Sequence, residues 1–239
     1  MTAEPRPRAA LLLVCALGVE RRALRGGAPR AARPVQVLRT GMGPRAAARS
    51  VGAVLGDDGT AVLATGFCAG LAPAMRPGDV VVATEVAEVP DTGETAAGGA
   101  AAVRLSIADA TVDALAQTLG SRGLTVHRGP LASSGHVIHG RERLALHTRG
   151  YVAADMESAA VLRTALAAGR RPVAAVRVVV DTPEKELFRL STLRTGVVAF
   201  RTLRAAVPAY LDWQRTLAGT GSACTPDSLP HDPLSREVS

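Results

Sequence analysis

Short apolar runs alternate with longer alanine-rich stretches along most of this chain. The apolar runs are bounded by Gly, Pro or polar residues, as buried strands are, and the alanine-rich stretches have helical spacing. This alternation predicts an α/β domain with a mostly parallel, mixed central sheet flanked by helices. The predicted strands are Ala9–Cys15, Val35–Leu38, Ala61–Thr65, Asp79–Thr84, Tyr151–Ala153 and Pro172–Val180. The predicted helices are Pro44–Leu55, Ile107–Leu119, Met156–Ala168 and Leu193–Leu217, the last with a bend near Pro208.

The length of the chain fits one domain with one core. It has 239 residues, of which 47% are hydrophobic, and an α/β unit of this size need not divide. Residues 1–8 and 218–239 are rich in Pro, Ser, Gly and charge and lack apolar periodicity, so we predict two disordered tails. The catalytic domain is expected to span residues 9–217.

Neither a membrane span nor a disulfide framework is predicted. The longest apolar run, Ala9–Leu17, is too short to cross a bilayer, and no signal-peptide cleavage site follows Met1–Arg8. The three cysteines, Cys15, Cys68 and Cys224, are odd in number and lack metal-ligand spacing. We therefore expect a cytoplasmic protein with reduced cysteines, two of them buried.

The positive charge does not indicate a nucleic-acid surface. The formal net charge is +7, and Lys185 is the only lysine, so arginine supplies almost all the cations. Those arginines fall in every segment, whereas nucleic-acid-binding domains concentrate basic residues on one face and often add aromatic platforms. Only 3% of the residues are aromatic. We predict no nucleic-acid partner.

Three carboxylates follow or end predicted strands, where ligands bind in sheets of this kind. Glu20 follows the first strand, Glu157 begins the helix after the Tyr151 strand, and Asp181 ends the Pro172 strand. Any one of them alone would more simply be a helix cap or a surface charge. Three together, beside glycine-rich turns, indicate a functional site.

Two glycine-rich turns accompany these acids. Thr40–Pro44 (TGMGP) enters a helix through its proline, and Thr65–Leu71 (TGFCAGL) is predicted to leave a buried strand. Glycine at such places lets the backbone approach a ligand closely. Because no Gly-x-Gly-x-x-Gly follows the first strand and no phosphate-loop motif occurs, neither NAD nor ATP use is supported. No cofactor is predicted.

His136 and His139 form no convincing metal pair. No cysteine or acidic residue lies at ligand spacing from them, and histidines in a polar loop are more often solvated or hydrogen-bonded. We predict no bound metal.

Four motifs together resemble one enzyme family. They are Thr65–Pro73, Arg76–Val82, Asp155–Ser158 and Val176–Asp181, and their order and spacing resemble the methylthioadenosine/S-adenosylhomocysteine nucleosidases and their relatives in the nucleoside phosphorylase and nucleosidase superfamily. The resemblance extends from about Ala9 to Leu217. It implies the family's α/β fold and cleavage of the N-glycosidic bond of a purine nucleoside.

The resemblance implies a role for each acid. Asp181 would protonate N7 of the leaving purine, Glu157 would hold the ribose hydroxyls, and Glu20 would position the attacking water. Glycosidic cleavage passes through an oxocarbenium-like state, which needs a proton donor at the leaving group and anionic oxygens near the developing positive charge. Asp181 is expected to be buried at the end of its strand, so that its pKa rises and it stays protonated.

Other substrate contacts follow from the same resemblance. Met156 would pack against the ribose, and the backbone around Val137 and Ile138 would hold the purine edge. Val137 departs from the pattern, because the nucleosidases carry an aromatic there, and Phe67 stands where relatives usually have a small hydroxyl residue. Base stacking would then be weaker or come from Phe67 or Phe188.

Arg177 and the apolar candidates complete the predicted site. Alternation along a strand places Arg177 on the same face as Asp181, so it is expected either to contact the substrate or to orient Asp181 or Glu157 as a structural ion pair. Leu17, Phe67, Val137, Ile138 and Phe188 are the apolar candidates around the ribose. They predict an apolar 5′ group, because no strand-end acid or base remains for a charged tail.

Hydrolysis is favoured over phosphorolysis. The superfamily's phosphorylases hold phosphate with an arginine and a serine where this chain has Ala64 and Phe67, and Glu20 would repel a phosphate. An inward-turned Arg21 or Arg22 would favour phosphate again, and the Gly-Met-Gly-Pro turn is similar to that of the hopanoid-associated phosphorylase. Candidate substrates are methylthioadenosine, S-adenosylhomocysteine, an adenosyl-lipid such as adenosylhopane, and futalosine.

A non-catalytic nucleoside-binding regulatory protein is the alternative to an enzyme, and the retained acids argue against it.

Because relatives close the 5′ end of the pocket with a neighbouring subunit, a homodimer is expected. Residues 88–102, poor in core-forming side chains, are the candidate contributor.

Overall fold

The computed structural model describes residues 11–28, 35–90, 103–181 and 192–220, which form eight strands and six helices. The strands are β1 (Leu11–Cys15), β2 (Val35–Arg39), β3 (Ala61–Gly70), β4 (Val80–Val89), β5 (Arg104–Ser106), β6 (Val126–Ser134), β7 (Ala153–Asp155) and β8 (Val173–Asp181). The helices are α1 (Gly18–Gly27), α2 (Pro44–Gly52), α3 (Asp109–Ser121), α4 (Gly140–Thr148), α5 (Ser158–Ala167) and α6 (Thr192–Thr220). Helix α6 continues through Pro208.

The described strands form one mixed sheet, which confirms the predicted fold class. Its main path runs β2-β1-β3-β7-β6-β4-β5, and β8 pairs with both β3 and β4. These pairings close a ring of five strands in the order β3, β7, β6, β4 and β8. Pairing is parallel between β1 and β2, β1 and β3, β3 and β8, β4 and β6, and β6 and β7. It is antiparallel for β3 with β7, β4 with β5, and β4 with β8.

The predicted turn at Thr65–Leu71 is wrong, because β3 continues through most of it. Gly66 and Phe67 pair with Arg177 and Val178 of β8, and Gly70 pairs with Ala153 of β7. Two partner strands thus supply hydrogen bonds along a stretch that its glycines suggested was a turn. The prediction for Thr40–Pro44 is confirmed, since α2 begins at Pro44 after Gly43, whose φ is +89°.

A bulge near the end of β8 separates two side chains that alternation placed together. The β3–β8 register pairs Cys68 with Val179 and Ala69 with Asp181, so Val180 is the extra residue. A bulge re-aims the side chains that follow it. Arg177 and Asp181 therefore have different partners, and the expectation that they share one face is wrong.

Four elements were not predicted from the sequence: α1, β5, β6 and α4.

The strand predicted at Tyr151–Ala153 instead begins at Ala153. The Tyr151 N–H donates to the carbonyl of Leu146 in the last turn of α4, at 3.1 Å, so this residue closes a helix and not a strand ladder. Its ring is buried in a small cluster with Leu146, Ile138 and Leu71.

The main core lies between the sheet and its helices. Strands β1, β3, β4 and β8 supply its centre, and Trp213 and Tyr210 of α6 are among its largest fully buried side chains.

Cys15 and Cys68 are buried free thiols, while Cys224 lies outside the described residues. Among the described helices, none combines the length and apolar character needed to cross a bilayer.

Candidate functional site

A central cavity of about 250 Å³ lies beside the ends of β1, β3, β7 and β8. Most of the side chains predicted for the site line it. Arg177 is not among the lining residues, and Phe188 is outside the described residues. The predicted residues that line the cavity are Leu17, Glu20, Phe67, Val137, Ile138, Met156, Glu157 and Asp181.

Glu20 is held by backbone amides. It sits in the first turn of α1, where its Oε2 accepts hydrogen bonds from the N–H groups of Ala16 (2.9 Å) and Leu17 (2.7 Å). Its Oε1 accepts one from the Phe67 N–H of β3, at 2.7 Å. Burial raises the pKa of Glu20, although these amides and the Arg177 charge act in the opposite direction. The carboxylate is thus fixed in position in a poorly solvated place.

Gly66 makes room for that carboxylate. A Cβ atom at position 66 would lie 2.6 Å from Glu20 Oε1, and the φ of Gly66 is +131°, a value that other residues rarely adopt. The glycine of the TGFCAGL motif therefore serves the close approach of a side chain from α1. The sequence predicted close approach to a ligand instead.

Glu157 joins two distant parts of the chain. It precedes α5, and its Oε1 accepts a hydrogen bond from the Gly43 N–H at 2.8 Å, across 114 residues. Burial raises the pKa of Glu157 to about 7, with Asp155 and Glu20 adding to the rise and Arg177 and the Gly43 amide opposing it. Near pH 7, both its protonated and its ionised form are therefore populated.

Arg177 lies at the centre of the acidic groups, fully buried. Its Nη2 forms a salt bridge of 2.5 Å with Asp155 Oδ2, and its Nε and Nη2 donate to the Ser158 hydroxyl at 3.0 and 2.9 Å. Its Nη1 donates to the carbonyl of Thr65 at 3.1 Å. The structure thus pairs Arg177 with Asp155, not with Asp181 or Glu157. Asp155 had no predicted role, although it belongs to the Asp155–Ser158 motif.

Carboxyl groups outnumber cations in the surroundings of Arg177. Burial alone would lower the pKa of Arg177, but Asp155, Glu157 and Glu20 together raise it. One guanidinium thus faces three carboxyl groups, so the cluster is negative whenever more than one of them is ionised. Such a site favours a ligand that develops positive charge.

Asp181 is buried, as predicted, and has a cation partner that the sequence did not reveal. Arg143 of α4 donates from Nη2 to Asp181 Oδ2 at 2.5 Å, and both side chains are 4% exposed. Arg143 also lines the central cavity. The nine residues of α4 contain little apolar periodicity, so no sequence signal pointed to Arg143.

His136 also lines the cavity and belongs to a hydrogen-bonded group. Its Nδ1 lies 3.1 Å from the Ser134 hydroxyl and its Nε2 lies 3.0 Å from Glu142 Oε2. Within residues 11–28, 35–90, 103–181 and 192–220, no three His, Cys, Asp or Glu side chains are grouped as metal ligands.

If Glu157 holds the ribose hydroxyls, as the resemblance implies, kcat/KM should rise with pH through a midpoint near 7, because ionised Glu157 can accept hydrogen bonds from two hydroxyls, whereas its protonated form presents one donor. The measurement is a pH–rate profile over about pH 5 to 9. Glu157→Gln should be slower and lose this limb, while Glu85→Gln, in a surface ion pair with Arg104, should keep it. A limb unchanged in Glu157→Gln would contradict the assignment.

The comparison with family models identifies one family. The family model for the Phosphorylase superfamily matches residues 18–207. Among curated proteins, no sequence matches the chain significantly. Many solved structures do match, at low sequence identity.

Three of the matching structures are those of two nucleosidases and a futalosine hydrolase. The 5′-methylthioadenosine/S-adenosylhomocysteine nucleosidase of Neisseria meningitidis, in complex with methylthio-immucillin-A, is 20% identical with a TM-score of 0.66, covering 87% of this chain and 98% of its own. Futalosine hydrolase of Helicobacter pylori is 15% identical with a TM-score of 0.71, covering 86% and 98%. The S-adenosylhomocysteine nucleosidase of Streptococcus pyogenes, in complex with 5-methylthiotubericidin, is 16% identical with a TM-score of 0.69, covering 88% and 98%.

These structures share the fold of this chain over nearly their whole length. The family model covers most of the domain, including the segments that carry Glu20, Arg143, Glu157 and Asp181. The chain therefore belongs to the Phosphorylase superfamily and is an enzyme of that superfamily.

Proposed function

We propose that this enzyme hydrolyses the N-glycosidic bond of a 5′-substituted purine nucleoside and releases the free base. The observation that carries the proposal is the central cavity, which Glu20, Glu157 and Asp181 line as buried acids, with Arg177 near the two glutamates and Arg143 paired with Asp181. The excess of carboxylates suits a ribosyl group that becomes positively charged as its bond to the base breaks.

Each acid has a separate role in the reaction. Asp181 gives its proton to N7 of the purine as the C1′–N9 bond breaks and its electron pair moves into the base. Glu157 accepts hydrogen bonds from the ribose hydroxyls. Glu20 orients a water molecule, whose oxygen bonds to C1′ and whose proton passes to Glu20. Proton exchange with solvent then restores both acids.

The nucleophile is water in this proposal. The carboxylate of Glu20 is fixed by three backbone amides, and it would repel a phosphate while accepting a hydrogen bond from water. Arg21 and Arg22 are both exposed on α1, so neither turns into the cavity as an anion ligand. Ala64 and Phe67 offer no side-chain group for an anion.

The test is release of free base from candidate nucleosides with and without inorganic phosphate. We expect adenine or hypoxanthine to appear together with the free 5′-substituted ribose, at a rate that phosphate leaves unchanged. A ribose 1-phosphate product would replace hydrolysis by phosphorolysis. No base release from any candidate would contradict the enzyme assignment and favour a nucleoside-binding regulatory protein.

The surroundings of Phe67 support an apolar 5′ group. Phe67 lines the central cavity and also a second, more open groove of about 590 Å³, which we call the side groove. Val19, Val197 and Phe200 form its apolar wall, and Arg201 and Arg204 also border it. A hydrocarbon substituent that leaves the cavity past Phe67 would therefore contact apolar side chains.

We expect methylthioadenosine and an adenosyl-lipid to be cleaved with higher kcat/KM than adenosine or S-adenosylhomocysteine. Each buried methylene contributes about 0.8 kcal/mol, so even a short apolar group gains severalfold over a hydroxyl. The measurement is the set of four kcat/KM values. Preference for S-adenosylhomocysteine would contradict the prediction and implicate Arg201 or Arg204 as partners of its carboxylate.

We also propose that the working form is a homodimer with the nucleoside as its only small-molecule partner. The side groove is open, and Val19 and Val197 are exposed there, so a second subunit would cover apolar surface. Sedimentation at micromolar concentration should give twice the chain mass of 24.5 kDa. A fully active monomer would contradict this.

A further inference from the structure

Arg143 is a buried arginine that the proposed reaction does not yet use. It lies in the first turns of α4, is buried and lines the central cavity. Its Nε donates to the carbonyl of Ile138 at 3.0 Å, and its Nη2 donates to Asp181 Oδ2 at 2.5 Å. One planar guanidinium thus joins the segment before α4 to the end of β8.

Stability alone does not account for this arginine. The Nη1 atom of Arg143 is buried and has no hydrogen-bond partner among the described residues. A buried ion pair must recover the cost of removing two charges from water, and an incompletely satisfied one does so poorly. Both atoms that Arg143 does contact belong to residues of the cavity wall.

We propose that Arg143 is a positioning residue for glycosidic cleavage, which fixes the carboxyl group of Asp181 relative to the backbone that faces the purine. This inference rests on the proposed function. The guanidinium donates to Oδ2, so it favours a lone pair on that oxygen and places the transferable proton on Oδ1. Proton transfer to N7 requires this orientation, because general acids act only within hydrogen-bond reach.

The test compares two leaving groups. A purine needs protonation at N7 to leave, whereas 4-nitrophenolate leaves a riboside without a proton. Arg143→Met should therefore lower kcat for the purine nucleoside about 10²-fold with KM nearly unchanged, and lower kcat for 4-nitrophenyl β-D-ribofuranoside less than about threefold. Arg143→Lys should recover part of the loss, because lysine keeps the charge but not the planar fork.

Arg171 provides a matched control. It is also a buried arginine whose Nη1 has no hydrogen-bond partner, but its Nη2 donates to the carbonyls of Gly56 and Ala168, away from the cavity. Arg171→Met should affect both substrates equally, through stability alone. Thermal unfolding of all variants will show whether the fold persists.

A double variant decides the question without the nitrophenyl substrate. Because Arg143 acts through Asp181, adding Arg143→Met to Asp181→Asn should cause no further loss in kcat for the purine nucleoside. Equal losses on both substrates, or additive losses in the double variant, would overturn the role of Arg143 and leave the proposed function intact. Failure of the unmodified enzyme to release base from any substrate would contradict both.

Discussion

Asp181→Asn is expected to lower kcat by at least about 10²–10⁴-fold while the fold persists. Asparagine has the shape of aspartate, and its amide oxygen can still accept the hydrogen bond from Arg143 Nη2. It cannot release a proton to N7. The variant therefore removes the acid from an otherwise intact cavity, and substrate affinity should change far less than turnover.

The measurement is single-turnover base release, with circular dichroism and thermal unfolding as checks of the fold. Asp113→Asn is the matched control, because Asp113 is exposed and forms a surface salt bridge with Arg128. Exposed pairs of this kind contribute little. More than a tenth of the original turnover in Asp181→Asn would contradict the acid role.

Gly66→Ala is expected to lower kcat/KM at least about 10²-fold by displacing Glu20. The new Cβ would lie 2.6 Å from Glu20 Oε1, closer than such atoms can approach, and the neighbouring Phe67 N–H holds the same oxygen. The carboxylate must move, and displacement of a catalytic group by about 1 Å can cost that much. The variant tests Glu20 without changing its chemistry.

Backbone strain must be separated from this effect. Gly150 has a φ of +92° and open space where a Cβ atom would lie, so Gly150→Ala carries the strain without the collision. Gly150→Ala should lose stability and keep kcat/KM, whereas Gly66→Ala should lose both. If the two variants have the same kcat/KM, Gly66 does not serve Glu20.

Sequence patterns predicted the parts of the fold that are apolar without interruption. Strands β1, β3 and β8 were found because their residues are almost all buried. Strand β6 was missed because its first residues include His127, Arg128, Gly129 and Pro130, which look like a loop until neighbouring strands cover them. Tertiary pairing decided the structure there, and local sequence does not encode it.

The candidate site, like the fold, was predicted only in part. The positions of Glu20, Glu157 and Asp181 followed from strand ends and the family motifs, and all three line one cavity. The partners of Arg177 and Asp181 did not follow, because a bulge at Val180 breaks the alternation along β8. Arg143 had no signal at all, since an arginine in a short polar helix usually lies on the surface.

The position of β8 has a consequence for biosynthesis. Strand β8 closes the five-stranded ring, yet it is the last of the described strands in chain order, so β3 and β4 emerge from the ribosome long before their shared partner. Until then their edges can pair with other chains. The same strand brings Arg177 and Asp181, so ring closure and completion of the site happen together. A nascent chain therefore lacks both the closed ring and the Asp181 carboxyl group until β8 has been made and has docked between β3 and β4.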